Sequence, residues 1–430
     1  MGSRTIPYPL PLCAIIRAVA DLTFHSPTVI PLATRTARLT PTTVNRILGE
    51  MRQLQAQGRH VVSLMRGEPD FATPEHIAEA AQDAIRAGRT RYPDNRGEPA
   101  LRNAIVTKLQ RDNGVTYDAG SEILVTTGAT LGIQAALLAI VNDGDEVLLP
   151  DPVYDAYASP IGMAGGIVRS IPCPLRQGRF VLDAASLEAA ITPRSRVLVL
   201  NTPWNPVGTV FSDQELRQLA PVIERHDLTL ISDEIYEAIT YDGARHISPA
   251  SLSPAMRERT VVVNSLSKTY AMTGWRVGYC AAPAAVTQAM FLVLQQTSRG
   301  PATFIQDAAA AALAGPQDAV RLMSDEYTRR RHAVLAALGS IPRVSVLPPE
   351  GGFFAMVDVR GLGLPSNDIR RRLLEEAGVA VVHGAAYGPS GEGTLRVSFG
   401  SGGALLADGL QRLAAGLTRI ANSTAVSGGA

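Results

Sequence analysis

Lysine is scarce in this chain of 430 residues. Only Lys108 and Lys268 occur among its 40 basic residues, and all the others are arginine. An arginine guanidinium stays protonated and cannot act as an amine nucleophile, whereas a desolvated lysine can. Lys108 lies in LRNAIVTKLQRDNG, whose helical periodicity and charge predict a solvated helix face. Lys268 follows an apolar run and lies among hydroxyl residues, which makes it the candidate for amine chemistry.

The chain also has few cysteines, a net charge close to zero and no long apolar run at its N-terminus. Cys13, Cys173 and Cys280 lie far apart without a CxxC pair, so neither a disulfide framework nor a metal site is predicted. The formal net charge of +1 gives no footprint for nucleic acid or an anionic membrane. The stretch up to Thr23 is interrupted by prolines and fits neither a signal peptide nor a membrane span. We therefore expect a cytoplasmic protein with small-molecule partners.

The order of apolar runs predicts two domains. Short β-branched runs separated by helical stretches are typical of a large, doubly wound, mostly parallel α/β sheet domain, expected over residues 75–324. The predicted strands are Glu122 to Val125, Glu146 to Leu149, Ile167 to Ile171, Val197 to Leu200, Thr229 to Ile231 and Thr260 to Val263. A smaller α+β domain is expected from both chain ends, residues 41–74 and 325–422. Residues 1–40 are predicted to be an irregular arm, and residues 423–430 a disordered tail.

The turn after the first of these strands has the composition of an anion site. TTGATLG places Gly128, Ala129 and Thr130 at the start of an apolar helix. A small-residue turn at a helix N-terminus presents free backbone N–H groups, and the helix dipole adds to the attraction for an anion such as phosphate. A plain tight turn explains the same residues equally well.

Polar side chains also follow three later strands, at the edge where ligands of open α/β sheets bind. NTPWNPVG projects Asn205, and SDEIY places Asp233 at a strand end with Tyr236 three residues further on. A buried carboxylate there needs a cation, such as a protonated pyridine nitrogen, unless it caps the next helix. In NSLSKTYAMTGWRVGY, Lys268 is flanked by serines and followed by Arg276, which together suit a phosphate dianion.

Four motifs in this order resemble the class I/II pyridoxal-phosphate aminotransferases of fold type I, in the aspartate-aminotransferase-like group. They are GEPDFATP from Gly67, DEIY from Asp233, SLSKTYAMTGWRVGY from Ser265, and LRVSF around Arg396. The resemblance extends from about Leu39 to Ile420. It implies a fold type I enzyme that moves an amino group from an L-amino acid to a 2-oxo acid.

The resemblance also implies roles for single residues. Lys268 corresponds to the lysine that holds pyridoxal 5'-phosphate as a Schiff base, and Asp233 to the partner of the pyridine nitrogen. Arg396 corresponds to the clamp on the substrate carboxylate, although taken alone it could pair with a protein carboxylate. The remaining implied contacts are Tyr236 and Asn205 to the phenolic oxygen, Gly128, Ala129, Thr130, Ser265 and Arg276 to the phosphate, Tyr154 to the ring, and Gly67 and Asn205 to the substrate.

Tyr92, in TRYPDNRG, is similar to the tyrosine that reaches the phosphate of the neighbouring subunit, so a homodimer with shared active sites is expected. Tyr154 and Trp204 depart from the residues of the best-known members, which leaves the donor amino acid open. Arg299 is predicted to form a surface salt bridge rather than a specificity contact.

Other chemistries stay open at this point. The same cofactor supports elimination, decarboxylation, cyclisation or oxidation of an amino acid such as arginine. A non-catalytic regulator that binds the cofactor is disfavoured, since the N-terminal arm shows no helix-turn-helix pattern. A nicotinamide dehydrogenase is disfavoured because no GxGxxG follows the first strand.

Overall fold

The structure is a computed structural model that describes residues 31–39 and 41–427. Residues 31–39 form part of a separate unit and contain a 3-10 turn at Thr34–Arg38. The rest of the predicted arm lies outside the described residues. The predicted disorder from Ser423 onward is wrong up to residue 427, because the last helix continues to Ser427. An existing helix elongates at little cost, whereas the sequence pattern there had lost its apolar face.

The remaining unit contains fourteen α-helices and fifteen strands in its described part, besides short 3-10 and π-helices. The helices are α1 (Thr43–Ala56), α2 (Glu75–Arg86), α3 (Pro99–Lys108), α4 (Ala129–Ile140), α5 (Ala158–Met163), α6 (Ala184–Ala190), α7 (Asp213–Arg225), α8 (Pro254–Arg257), α9 (Leu266–Thr269), α10 (Ala284–Thr297), α11 (Thr303–Ala314), α12 (Asp318–Leu338), α13 (Ser366–Arg372) and α14 (Gly403–Ser427). The strands are β1 (Val62–Ser63), β2 (Ile123–Thr126), β3 (Glu146–Asp151), β4 (Ile167–Pro172), β5 (Leu175–Arg176), β6 (Arg179–Phe180), β7 (Ser195–Asn201), β8 (Thr229–Asp233), β9 (Thr260–Ser265), β10 (Gly278–Ala281), β11 (Ser345–Leu347), β12 (Phe354–Asp358), β13 (Val379–Ala380), β14 (Val382–His383) and β15 (Thr394–Ser398). Among the described helices, none is both long and apolar enough to cross a membrane.

Seven strands form a large sheet in the order β2-β10-β9-β8-β7-β3-β4. Neighbouring strands from β9 to β4 are parallel, and β10 runs antiparallel to both of its neighbours. All six predicted strands are present. The sequence analysis missed β10, because its residues, GYCA, include no β-branched side chain. The predicted α/β class with a large, mostly parallel sheet is confirmed.

Parallel pairing brings the carboxyl ends of β7, β8 and β9 to one edge of this sheet, and β2 points the same way. The strands end at Thr126, Asn201, Asp233 and Ser265, and all four residues are buried. The apolar side chains of these strands pack against α4 and α10 on one side. The polar residues that follow each strand are therefore held by a rigid layer at a common edge.

A second, antiparallel sheet has the order β11-β12-β15-β14. Its strands pack with α12 and α14 in one apolar cluster that includes Phe353 and Leu413. Helix α12 crosses the predicted boundary between residues 324 and 325 as one continuous element. The domain boundaries derived from the sequence stay predictions.

The structure contradicts the predicted solvated position of Lys108, which is only 6% exposed. The apolar face of α3 consists of Leu101 and Ile105, and Lys108 continues that face seven and three residues later. The charge of the surrounding segment concealed this spacing. Lys108 Nζ donates to Asn113 Oδ1 at 2.8 Å and forms an ion pair with Glu237.

Candidate active site

A cavity of about 420 Å³ opens at the carboxyl edge of the large sheet. It brings together most of the residues that the sequence singled out. Those lining it are Gly67, Ala129, Thr130, Tyr154, Asn205, Asp233, Tyr236, Ser265, Lys268, Arg276 and Arg396. Gly128 lies directly beside it, while Tyr92 does not line it and is 88% exposed.

Lys268 extends into this cavity from a short turn. Ser265 begins the turn, since its Oγ accepts the N–H of Ser267 at 3.3 Å. Lys268 Nζ donates to the carbonyl of Gly67 at 2.7 Å. Burial, together with the charge of Arg276, lowers the pKa of Lys268 to about 8, although Glu68 and Asp233 act against the shift. An amine with this pKa exchanges protons readily near neutral pH.

Asp233 is a buried carboxylate at the end of β8. Its Oδ2 accepts the hydroxyl of Tyr157 at 2.6 Å, and its Oδ1 accepts the N–H of Ile235 at 3.2 Å. Among the described residues no cationic side chain forms an ion pair with it. Burial raises the pKa of Asp233 to about 6, although these hydrogen bonds oppose the shift. The carboxylate therefore suits a cation that a ligand brings into the cavity.

Arg276 and the first turn of α4 form an anion cradle. No side chain caps this helix, so its first N–H groups point outward without a protein acceptor from the cap. Arg276 Nη1 donates to the carbonyl of Thr273 at 3.1 Å, and no carboxylate of the described chain pairs with Arg276. A Cβ on Gly128 would lie 2.5 Å from Arg276 Nη2, so glycine keeps the guanidinium close to the helix N-terminus. This geometry favours an anion site over a plain turn.

Arg396 is a second cation without a carboxylate partner. It lies in β15, is 3% exposed, and donates to the carbonyl of Met65 at 3.0 Å and to Asn205 Oδ1 at 3.2 Å. The rings of Phe354 and Tyr387 lie 4.2 and 5.0 Å from its guanidinium carbon. In the described part of the chain no acceptor reaches its Nε, and no acidic side chain forms an ion pair with it. The alternative in which Arg396 pairs with a carboxylate of the protein is therefore wrong.

Comparison with known proteins identifies the family. The family model described as aminotransferase class I and II matches residues 59–413. The chain belongs to this family. It is 40% identical over 378 residues to an aspartate aminotransferase of Rhizobium meliloti, which covers 85% of this chain and 91% of that protein. It is also 40% identical over 359 residues to an arginine–pyruvate transaminase of Pseudomonas aeruginosa, covering 83% and 90%.

A solved structure supports the same assignment. The crystal structure of the aspartate aminotransferase of Rhizobium meliloti superposes with a TM-score of 0.88 at 38% identity, and the match covers 91% of this chain and 99% of that chain. The predicted family and the fold type I architecture are confirmed. Class I/II aminotransferases depend on pyridoxal phosphate and act on amino acids and 2-oxo acids, so this aminotransferase is an enzyme of that kind.

The sequence analysis missed two residues of this aminotransferase that hold Asp233. Tyr157 donates to the carboxylate, and Asn201 Nδ2 donates to the backbone carbonyl of Asp233 at 2.9 Å. Asn201 thus links the ends of β7 and β8, and its Oδ1 also accepts the N–H of Asn205 at 2.7 Å. A signal existed for Tyr157, since it follows Tyr154 by three residues in DPVYDAY. Their rings contact edge to face, with centroids 5.5 Å apart.

Aromatic side chains form one wall of the cavity. Tyr236 is 5% exposed and packs edge to face on Phe353 and Phe354, with ring centroids 5.5 and 6.0 Å away. Burial raises the pKa of the Tyr236 phenol well above its usual range, so this phenol stays protonated and available as a donor. Trp204 is buried against Phe211 and does not line the cavity.

The environment of Arg299 differs from the prediction. No ion pair involves it among the described residues, so the predicted surface salt bridge is wrong. Its guanidinium carbon instead lies 5.9 Å from the ring centroid of Tyr92. The two exposed side chains form a cation–π pair.

Proposed function

We propose that the cavity is the transamination site of this enzyme, with pyridoxal 5'-phosphate attached at Lys268 and an L-amino acid and a 2-oxo acid as its substrates. The observation that carries the proposal is the set of unpaired charges at one edge of the sheet. Within residues 31–39 and 41–427, Asp233 is a buried carboxylate that pairs with no cation, while Arg276 and Arg396 are cations that pair with no anion. A cofactor with a basic ring nitrogen and a phosphate, together with a substrate carboxylate, supplies the missing partners.

The residues present fit the cofactor group by group. Asp233 would hold the protonated ring nitrogen, and Tyr236 and Asn205 would donate to the phenolic oxygen. The phosphate would lie on the N–H groups of Ala129 and Thr130, with Ser265 and Arg276 as further donors. The half-exposed ring of Tyr154 would cover the ring face. When bound, pyridoxal phosphate supplies an electron sink for the electron pair left at the substrate Cα.

Lys268 carries the proton transfers in this proposal. The substrate amine would first displace Nζ from the cofactor. With a pKa of about 8, a useful fraction of the released Nζ amine would be unprotonated near neutral pH, so it could take the proton from Cα and return it to the exocyclic carbon of the cofactor. Arg396 would grip the substrate carboxylate in a bidentate contact, beside the backbone of Gly67. Fixing the carboxylate decides which bond at Cα is cleaved, since only the bond perpendicular to the ring is weakened.

We further propose that the enzyme is a cytoplasmic homodimer with shared active sites. Tyr92 is 88% exposed and lies outside the cavity of its own chain, so it needs a neighbouring subunit to take part in binding. Sedimentation of the loaded enzyme checks this. An active, monodisperse monomer would exclude a shared site.

The test of the reaction is a near-ultraviolet and visible spectrum of the loaded protein before and after adding single amino acids. The names of the relatives put aspartate, aromatic amino acids and arginine first among the donors. We expect the cofactor band to shift to that of the aminated cofactor with one donor, and a 2-oxo acid to reverse the shift. Release of carbon dioxide, ammonia without an acceptor, or uptake of oxygen would contradict transamination.

A further inference from the structure

Lys108 lies on a chain of hydrogen bonds that ends at the turn that carries Lys268. Lys108 Nζ pairs with Glu237 Oε1, and the same oxygen accepts Asn264 Nδ2 at 2.6 Å. The other face of that amide, Asn264 Oδ1, accepts the N–H of Ser265 at 2.7 Å. Ser265 begins the turn that carries Lys268. The groups that form this chain are charged groups or amides that lie away from bulk solvent, where hydrogen bonds are strong and directional.

The Glu237 carboxylate fixes which way the Asn264 amide faces. An amide can bind through either end, but only with its nitrogen toward Glu237 does its oxygen face the N–H of Ser265. Asn264 is only 1% exposed, so these two protein partners hold its amide in this orientation. Burial acts to raise the pKa of Glu237, but the charges of Lys108 and His246 outweigh it and hold this pKa below its usual value. Glu237 therefore stays an anion that accepts from both partners.

The choice of lysine at position 108 fits this site. Its ammonium lies between Asn113 Oδ1 and Glu237 Oε1, a narrow place that suits a compact point charge with three donors. A planar guanidinium carries five donors, whereas the Lys108 ammonium donates to these two side-chain acceptors. A chain that otherwise uses arginine almost throughout thus keeps lysine at the amine of the active site and at this buried pair.

We infer that Lys108 is a positioning residue, which through Glu237 and Asn264 holds the Ser265 turn and thereby keeps the Lys268 amine in its desolvated place. The inference deepens the proposed function, on which it rests for the role of Lys268. Lys108 touches no part of the active-site cavity; it lines a separate cavity of about 530 Å³ on the other side of the turn.

The scarcity of lysine makes a direct test possible. Full-length protein labelled with ¹³C at lysine Cε and freed of cofactor gives two lysine signals in an NMR spectrum, since the sequence has two lysines. The signal that remains after substitution of Lys108 is that of Lys268. The chemical shift of that signal against pH reports the ionisation of the Lys268 amine without any reagent. We expect a wild-type midpoint near 8.

Two variants separate positioning from plain electrostatics. Lys108→Ala removes a positive charge, and Glu237→Gln removes a negative charge while keeping a neutral acceptor. If the turn loosens, the amine becomes hydrated in both variants, and both midpoints rise toward that of a free lysine by about one pH unit. Long-range charge effects alone would raise the midpoint in Lys108→Ala and lower it in Glu237→Gln, and that result would overturn the inference.

Rescue by a small cation completes the test. Lys108→Ala lacks the last four heavy atoms of the side chain, which n-propylammonium matches, and the 530 Å³ cavity gives it access. We expect n-propylammonium to restore the wild-type midpoint and n-propanol to leave it raised. Arg370→Ala, which breaks an ion pair with Glu50 away from the turn, is the matched control and should not change the midpoint.

Circular dichroism checks that each variant is folded. Should Lys108→Ala fail to fold, Glu237→Gln decides, and an unchanged midpoint in that variant would overturn the inference. The cofactor band of loaded wild-type protein reports separately on the proposed function. If the cofactor band is missing, the proposed function is refuted, whatever the lysine titrations show. If both variants keep the wild-type Lys268 midpoint, the positioning role is refuted, whatever the cofactor band shows.

Discussion

Lys108 and Lys268 present the same ammonium group in two contrasting environments. Lys108 meets the carboxylate of Glu237 and the amide of Asn113, so its charge is compensated where it is buried. Lys268 Nζ donates to the neutral carbonyl of Gly67 at 2.7 Å, and the positive charge of Arg276 lowers the pKa of Lys268 further. Lys108 is thus buried with a counter-ion, whereas burial beside another cation makes Lys268 ready to lose its proton. The reactivity of a lysine here is set by its surroundings.

Removing Lys268 should have the largest effect. Lys268→Ala takes away both the attachment point and the proton carrier, so we expect kcat to fall by about 10⁴-fold or more. Single-turnover transamination assays measure it, and thermal unfolding of the cofactor-free variant shows whether the fold persists. A variant that keeps a tenth of the wild-type rate would contradict the distinction between the two lysines.

Removing Lys108 should act on stability. Lys108→Met leaves the buried Glu237 carboxylate without its lysine partner, and breaking a buried pair in this way costs about 3–5 kcal/mol. Urea denaturation of the cofactor-free protein measures the free energy of unfolding. The double variant Lys108→Met with Glu237→Gln should lose less, because no charge is left unpaired. A loss below about 1 kcal/mol in the single variant would show that the pair is not compensated in the way described.

Arg396 tests the opposite situation, because it is a buried cation that pairs with no anion of the described chain. In Arg396→Met the substrate carboxylate loses its clamp, and two charge-assisted hydrogen bonds are worth about 3 kcal/mol, so kcat/KM should fall about 100-fold. The stability of the cofactor-free protein should not fall correspondingly, because an unpaired charge is removed from the interior. A variant with normal kcat/KM but poor stability would assign Arg396 to structure instead.

Substitution of Tyr157 should give the smallest effect, which is a change in how the free energy of unfolding depends on pH. The pKa of Asp233 in the folded protein, about 6, lies above that of an unfolded aspartate. Between about pH 4 and 6 the folded cofactor-free protein thus holds more protons than the unfolded chain, and its stability falls as the pH rises. Tyr157→Phe removes a hydrogen bond to the ionised form, so this fall should deepen by about 1.5 kcal/mol. Asp233→Asn should abolish it, and identical pH profiles in all three proteins would contradict the buried carboxylate.

The sequence was sufficient to predict features that depend on local pattern. The β-branched runs predicted the strands to within a few residues, and parallel pairing then required Asn205, Asp233 and Lys268 to meet at one edge. The anion cradle followed from TTGATLG together with Arg276. The structure confirms that these residues meet at one cavity, because strand ends in parallel sheets converge whatever the loops do, while their roles in binding stay predictions.

Features that depend on distant partners could not be predicted. The burial of Lys108 depends on Glu237, which lies 129 residues away along the chain, and the burial of Arg396 depends on the rings of Phe354 and Tyr387. Tyr157 was overlooked because its partner, Asp233, lies 76 residues away along the chain, at the end of β8. Local periodicity places a residue on a face, but only the folded chain shows what that face meets.

The most direct test of the central claim, that only one of the two lysines binds the cofactor, is to load the protein with pyridoxal phosphate, reduce it with borohydride and digest it. Mass spectrometry then shows which lysine peptide has gained the cofactor. We expect the added mass on the peptide that contains Lys268, and the Lys108 peptide unmodified. Modification of Lys108, or of neither lysine in a protein that turns over, would contradict the assignment.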